Sequence, residues 1–380
     1  MLIISGAIVL ACAGAPPAAP GKHHAVKNEP PEQKVTETSA TQKRTPTTPP
    51  PEMTISEARP QVETEPNTVS LVAVGDICLG RNINAEMVDT NDFTFPFVHV
   101  ADFLKSADIT VGNLEAQLFP GCPLLTGGMR LCGDRRAVAG LVKSGFDVVS
   151  VANNHADNFG KRALASSVKM LRANGIQVAG YGKPPVIERN GTRFAFVGYD
   201  ITKRSVPLKR IGRKLKAAKE RADVVVLIMH WGKEYETTPS RIQTNLAQFA
   251  TKQGADLIIG AHPHVIQPLE TVNGAPVAYS LGNFVFDSMM WTEETRKSTA
   301  AVFKFLGSAV TSSRLIPGRL VSAGIPELLE MPIELTATRK ESDQRVCFDP
   351  SRIGHSDRTD DHRTARGLPC HRRRSKWPRE

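Results

Sequence analysis

Carboxylate, amide and imidazole side chains recur at five places in this chain, each directly after a short apolar run. The five are Gly75-Asp76, Gly112-Asn113-Leu114-Glu115, Asn153-Asn154-His155 with Asp157 two residues on, His230-Trp231-Gly232, and His262-Pro263-His264. These side chains are hard to borderline ligands, the set that suits Mn, Fe, Zn or Mg, and no thiolate belongs to it. No Cys-x-x-Cys pair occurs, which argues against a thiolate zinc site. The His-Pro-His segment carries its own geometric expectation. Proline disfavours the helical region for the residue before it, so His262 is expected to be extended. Residues i and i+2 of an extended segment share a side. His262 and His264 would then face one ion pair, or one would bind metal while the other meets substrate. Each segment alone has a plainer reading: Asp76 as a helix cap, Asn154-His155 as a turn, His230 beside Trp231 as packed aromatics. Five together at successive strand ends point to one shared polar site.

The elements that must position these residues can be read from the same stretches. "VSLVAVGD", "ADITVGNLE", "FDVVSVANNH", "RFAFVGYD", "ADVVVLIMHWG", "ADLIIGAHPH" and "PVAYSLGNFVF" are apolar runs that read as strands buried on both faces. Between them lie helical patterns. "KRALASSVKMLRANG" puts Leu164, Val168 and Leu171 on one stripe and stops at Asn174-Gly175. "RIQTNLAQFATKQG" repeats the pattern with Ile242, Leu246 and Phe249 before Gly254, and "KLKAAKERA" precedes the strand containing Val224. Strand alternating with helix indicates an α/β domain, whose ligand sites lie beyond the C-terminal strand ends. A TIM barrel puts its site there too, so position alone leaves the architecture open.

Six segments in order, "GDICLGR", "GNLEAQL", "VANNHADNFG", "MHWGKEYE", "GAHPHVIQ" and "YSLGNFVFD", resemble the successive motifs of the CapA family. These are bacterial capsule-synthesis proteins linked to poly-γ-glutamate and related to the calcineurin-like metallophosphoesterases. The resemblance covers roughly residues 69–335. It implies a four-layer α/β/β/α sandwich of metallophosphoesterase type holding divalent metal ions, up to two. Carried over, it makes Asp76, Glu115, Asn154, His230, His262 and His264 the metal ligands, with Glu115 bridging. It gives the catalytic part to His155, with Asp157 beside it, as proton donor to the leaving group. One position departs from the phosphatases: Cys78 stands two residues after Asp76, where they have histidine. The expectation is therefore that one metal position is weaker than in those phosphatases, or is filled only with substrate. Asn113, Trp231, Glu234, Tyr235 and Asn283 are the candidate substrate contacts. For Trp231, Glu234 and Tyr235, with Arg241, ordinary packing and capping is the competing reading, and for Asn283 it is a turn.

The rest of the chain sets the context. There are 380 residues, 41% of them apolar, with 27 prolines and a net charge of +10. That combination suggests a folded centre with disordered ends. The apolar stretch over residues 1–12 suits a signal-peptide core, and Val9-Leu10-Ala11-Cys12 resembles a lipoprotein cleavage site. Residues 13–67 hold eleven prolines and no Phe, Trp or Tyr, and read as a disordered spacer. The expected location is thus the extracytoplasmic face, anchored through Cys12. In an oxidising compartment Cys122 and Cys132 can close a short loop. Residues 336–380 read as a disordered basic tail, and 351–380 alone carry nine Lys/Arg against four Asp/Glu. No aromatic-rich basic patch accompanies that tail, so a nucleic-acid partner is not expected. The resemblance favours an anionic, poly-γ-glutamate-like envelope polymer and a capsule synthase membrane complex as partners. Two functions compete: a metal-dependent hydrolase or transferase on that polymer, and a non-catalytic accessory or polymer-binding subunit.

Overall fold

The computed structural model describes residues 67–203, 208–287 and 292–329. The expected leader at 1–12, the spacer apart from Asn67, residues 330–335 and the tail at 336–380 lie outside the described residues. In chain order the first half comprises β1 (Thr68–Ile77), α1 (Arg81–Thr90), α2 (Ala101–Lys105), β2 (Ile109–Leu114), β3 (Gln117–Leu118), β4 (Cys132–Gly133), α3 (Val138–Lys143), β5 (Val148–Ser150), α4 (Gly160–Ala173) and β6 (Gln177–Ala179). The second half comprises β7 (Val186–Arg189), β8 (Thr192–Asp200), α5 (Leu208–Lys219), β9 (Val224–His230), α6 (Arg241–Lys252), β10 (Leu257–Ala261), β11 (Ile266–Val272), β12 (Ala275–Leu281), β13 (Asn283–Val285), α7 (Glu293–Arg296), β14 (Lys297–Leu306), β15 (Ala309–Leu320) and β16 (Pro326–Leu328).

One sheet has the order β16-β15-β14-β1-β2-β5-β6, with β13 also on β1, and a second has the order β11-β12-β10-β9-β8-β7. Side chains alternate across a strand, and this period of two decides the layering. In β1, Leu71 and Ala73 enter the core between the sheets, where Phe194, Phe196, Val226 and Ile259 meet them. Val72 and Val74 of the same strand turn outward onto Ile83, Leu104, Leu141 and Leu171, from α1 to α4. In β9, Val224, Val226 and Ile228 face the first sheet. Val225, Leu227 and Met229 face Ile211 and Leu215 of α5 and Leu246 of α6. Helices, sheet, sheet, helices: the chain forms the four-layer α/β/β/α sandwich.

All seven expected strands are present, with one revision. "PVAYSLGNFVF" is two strands: β12 belongs to the second sheet and β13 to the first. The chain crosses at Gly282, whose φ of 66° favours glycine. The Gly282 carbonyl accepts a hydrogen bond from Asp76 N–H at 2.9 Å. A Cβ on Gly75 would lie 1.9 Å from that carbonyl oxygen, so the crossing requires glycine there as well. The β14–β15 hairpin, antiparallel on β1, was not among the expected strands. One helix stripe is also corrected. Ile242 is 69% exposed, and α6 buries Gln243, Leu246, Ala247 and Ala250 instead. The first turn of α6 is committed to a capping box in which Ser240 and Gln243 satisfy each other's backbone N–H, and this turns Gln243 inward.

Candidate metal centre

The polar cluster sits at the C-terminal ends of the central strands, and strand parity explains most of its membership. Asn113 and Glu115 continue the inward series of Ile109 and Val111 in β2. His230 continues the inward series of Val224, Val226 and Ile228. Asp76 would fall on the outward series of Val72 and Val74 if β1 were regular. A register shift between Ala73 and Asp76 pairs Asp76 with Asn113 and turns its carboxylate inward. Trp231 follows the same rule with the opposite result. It shares the outward series with Met229, stacks on Tyr279 and donates its indole N–H to the Tyr279 carbonyl at 2.8 Å. The expectation that Trp231 lines the cleft is thereby corrected: it is a core residue facing away from His230.

The His-Pro-His segment is not extended. His262 has φ 97° and His264 φ 59°, both unusual for residues with a Cβ. The proline preference for an extended His262 is overridden here by tertiary hydrogen bonds. His262 N–H donates to Asp76 Oδ2 at 3.0 Å, and Pro263 O accepts from Tyr235 N–H at 2.8 Å. Such strain persists where its surroundings overdetermine it. Both imidazoles still reach one cluster: the His262 ring lies 4.7 Å from that of His230 and 5.9 Å from that of His264.

Glu115 is the hub. Its Oε1 lies 3.7 Å from His230 Nε2, 3.8 Å from His155 Nε2 and 4.0 Å from His264 Nε2. Asn154 Oδ1 lies 3.0 Å from His230 Nε2. Asp76 Oδ2 lies 3.4 Å from His264 Nδ1, and Asp76 Oδ1 accepts from the Asn113 amide at 2.7 Å. Asn283 Oδ1 stands 2.9 Å from His264 Nδ1, so this candidate substrate contact orients a histidine instead. Asn113 likewise faces inward, 3.3 Å from His230 Nδ1. Glu234 groups with His262 and His264, their ligand atoms within 4.8 Å of one another. Tyr235 is 42% exposed at the mouth, its ring 6.4 Å from His264.

The environment disfavours charge on Asp76, Glu115, His230, His262 and His264. Burial pushes the Asp76 carboxyl up to about 6, although His262 N–H and Asn113 pull it back. Burial, then the Asp76 charge, holds Glu115 well above the usual carboxylate range. Burial takes His262 and His264 down to about 4 and His230 well below its ordinary value. Both carboxylate oxygens of Glu115, and Nδ1 of His262, are buried without a hydrogen-bond partner. Buried polar atoms are almost always paired, and an unpaired carboxylate costs several kcal/mol. A cation among Glu115, His230, His262, Asp76 and His264 removes both problems, and separations of 3.4–4.0 Å between their ligand atoms are of the order that bonds of about 2.0–2.2 Å to one ion require. The residues present fit a divalent metal.

His155 stands at the edge of this cluster. Its Nδ1 lies 2.9 Å from Asn158 Oδ1, which also accepts the Leu131 N–H at 2.8 Å. An oxygen already accepting from a backbone donor must accept from Nδ1 as well. Neutral His155 therefore carries its proton on Nδ1 and presents the Nε2 lone pair toward Glu115. Asp157 is exposed in the following turn, where its carbonyl accepts from Gly160 N–H, so it is Asn158 that partners the imidazole. Sequence reasoning passed over Asn158, whose only signal was its place three residues after His155. It also left Asn153 without a role; Asn153 donates to Leu114 O at 2.8 Å and braces the end of β2, directly before Glu115. Cys78, two residues after Asp76, does not join the ligands. It packs with Ala116, Leu131, Phe286 and Leu320, and burial holds its thiol up at about 12.

The family described as "Bacterial capsule synthesis protein PGA_cap" matches residues 70–288. The chain is 31% identical to "Capsule biosynthesis protein CapA" of Bacillus anthracis, over 60% of this chain and 62% of that one. It is 30% identical to "PGA biosynthesis protein CapA" of Bacillus subtilis (strain 168), over 63% of this chain and 68% of the relative. The chain thus spans a little under two thirds of the first of these relatives. Among solved structures, a novel phosphatase of Mycoplasma pneumoniae aligns with TM-score 0.45 at 15% identity, over 67% of this chain and 94% of that one. With the family's match spanning the strands that carry Asp76, Glu115, His155, His230 and His264, the chain belongs to the bacterial capsule synthesis protein family PGA_cap.

Proposed function

We propose that this chain is a metal-dependent hydrolase or transferase acting on an anionic envelope polymer of the poly-γ-glutamate kind. The observation that carries the reading is Glu115: two buried, unpartnered carboxylate oxygens facing three imidazoles. A divalent ion held there would supply Lewis-acid polarisation of an amide or phosphoryl oxygen. The chain's own residues do the rest. His155, with Nδ1 anchored on Asn158, would take up at Nε2 the proton shed by the attacking water or acceptor group and pass it to the departing group. Asn113 donates to Asp76 and Asn283 braces His264, so the site is organised before substrate arrives. Glu234 and Tyr235 stand where a polymer would enter. The names of the relatives, which speak of capsule and PGA biosynthesis, support that substrate class.

The same proposal places the protein at the extracytoplasmic face, tethered through Cys12. The Cys122–Cys132 disulfide supports an oxidising compartment. Among the described residues no helix is long and apolar enough to cross a membrane. The accessory reading draws on Cys78, whose burial among apolar side chains removes one ligand that phosphatases use. Metal-supplemented hydrolysis by the full chain, with poly-γ-glutamate and phosphodiesters as alternatives, separates the two. Activity that disappears in His155→Ala and His230→Ala supports catalysis. Polymer binding without cleavage favours the accessory role, and activity surviving both substitutions places the chemistry elsewhere.

A further inference from the structure

Away from the metal centre, α5 carries a concentration of charge that the fold does not use. Its sequence, LKRIGRKLKAAK, holds six cations and no carboxylate. Ile211, Leu215 and Ala218 pack into the core beneath the second sheet, which leaves the cations on the outer side. Lys219 is paired with Asp256 at 2.8 Å. Among the described residues, Lys209, Arg210, Arg213, Lys214 and Lys216 have no ion pair. Lys214 lies 5.1 Å from the centre of the Tyr199 ring, and burial, then the Arg210 charge, holds its ammonium below the ordinary range. Like charges three and four residues apart destabilise a helix, so folding alone gives no reason for this stripe. Lys209, Arg213 and Lys216 border an open groove of about 480 Å³ between α5 and α6, completed by Gly212, Phe249 and Gln253. A Cβ at Gly212 would stand 3.2 Å from Gln253 Oε1 and 3.3 Å from Phe249 Cζ. Glycine is a poor helix former, and here it lets the two helices approach while keeping the groove open. The Gln253 side-chain amide makes no hydrogen bond among the described residues.

We propose that this groove anchors an anionic polyamide outside the metal centre, with Lys209, Arg213 and Lys216 on its carboxylates and Gln253 on its amide. Five cations without counter-charges call for a polyanion. Positions 209, 213 and 216 share one helix face and span about 10 Å along its axis. An extended γ-linked glutamyl unit is about 6 Å long by standard bond lengths, so the stripe faces about two units. Arg213 can grip a carboxylate with two parallel bonds, the Gln253 amide both donates and accepts, and Phe249 offers an apolar floor to methylenes. A lipid surface matches less well, because the apolar face of α5 is committed to the core and cannot enter a bilayer. Single-stranded nucleic acid stacks its bases on exposed rings, whereas Phe249 packs against the core. The same polymer can reach the metal centre. Lys203 is exposed and donates to the Asn154 carbonyl, and Lys209 follows six positions later, within about 22 Å by chain reach. A polymer held on α5 is thereby kept at high local concentration beside the centre. The choice of poly-γ-glutamate rests on the function proposed above; the anchoring itself does not require catalysis.

Binding of labelled poly-γ-glutamate to the full chain in EDTA, followed by fluorescence anisotropy across a salt series, tests this. Wild type should bind without metal, and more weakly as salt rises. The triple variant Lys209→Gln/Arg213→Gln/Lys216→Gln should lose at least about tenfold in affinity, and Gln253→Ala about threefold or more. A control triple variant, Lys105→Gln/Lys169→Gln/Arg314→Gln, removes as many exposed charges elsewhere and should lose less than about threefold. Urea unfolding shows that each variant is folded. An equal loss in the control, or no loss in the α5 triple variant, would overturn the anchoring groove and leave the proposed chemistry standing. If the α5 triple variant loses binding to phosphatidylglycerol vesicles while its polymer binding stays intact, the stripe serves a lipid surface and the proposal is wrong. If wild type binds no poly-γ-glutamate with or without Mn²⁺, this inference and the proposed substrate fall together. Polymer bound through α5 without any hydrolysis supports the anchor and overturns only the catalytic reading.

Discussion

Replacing Glu115 by glutamine should stabilise the metal-free protein and abolish its response to metal. Glu115 is about 1% exposed and both its oxygens lack a hydrogen bond, with Asp76 as a charged neighbour. Folding therefore raises its proton affinity well above the ordinary value of 4.5. The folded chain then binds a proton that the unfolded chain has lost, so stability falls as pH rises above 4.5. The cost has a ceiling, because the group can always accept a proton. At about 1.4 kcal/mol per pH unit, the ceiling at pH 7 is about 3 kcal/mol. Metal-free Glu115→Gln should accordingly be more stable than wild type by up to about 3 kcal/mol at pH 7. The advantage should shrink as pH falls and vanish near pH 4.5. With Mn²⁺ at about a hundred times its dissociation constant, wild type should recover about 2.7 kcal/mol and the variant almost nothing. Urea unfolding in EDTA and in Mn²⁺, from pH 4.5 to 7.5, reads both effects. If the metal-free variant is instead destabilised by more than about 1 kcal/mol at pH 7, Glu115 is holding the fold together and is not waiting for a cation.

Other outcomes follow from the same geometry. Metal affinity should rise with pH, since Glu115, held well above the usual carboxylate range by burial and the Asp76 charge, must lose its proton on binding; calorimetry in buffers of different ionisation heat should detect protons released, and finding none would contradict the raised carboxylate. The histidines have the opposite sign: His262 and His264, held near 4, should destabilise the metal-free fold as pH falls below 6.5, seen as a falling urea midpoint. Asn158→Ala should release His155 from the Nδ1–H tautomer, visible in ¹⁵N spectra of the imidazoles, and should lower turnover about tenfold or more while leaving the metal in place. Trp231→Ala should cost about 3–5 kcal/mol of stability, as for a buried aromatic, yet leave the metal affinity of the folded fraction unchanged.

Much of the fold was legible because its strands are buried on both faces and read as unbroken Val/Ile/Leu runs. The β14–β15 hairpin was harder to see: β15 is largely exposed and carries Ser, Thr, Arg and Gly through its length. The split of "PVAYSLGNFVF" was signalled only by Gly282, and one glycine does not announce a change of sheet. For the site, residue type located the ligands, but strand parity decided where they point. Parity in β9 already sets Trp231 opposite His230, and counting it from Val224 would have removed Trp231 from the cleft. Parity in β1 would have misplaced Asp76, because the register shift before it appears only in the folded pairing. The strained backbone at His262 and His264 was illegible for a similar reason. It depends on Asp76 and Tyr235, which are 186 and 28 positions away from the segments they hold.

Anomalous diffraction at the manganese edge, from crystals of the full chain grown with Mn²⁺, addresses the metal centre most directly. The geometry predicts a strong peak within about 2.0–2.3 Å of a Glu115 carboxylate oxygen, with the other ligands drawn from Asp76, His230, His262 and His264. Crystals that show no peak there, with the Glu115 oxygens hydrogen-bonded to protein groups instead, would contradict it.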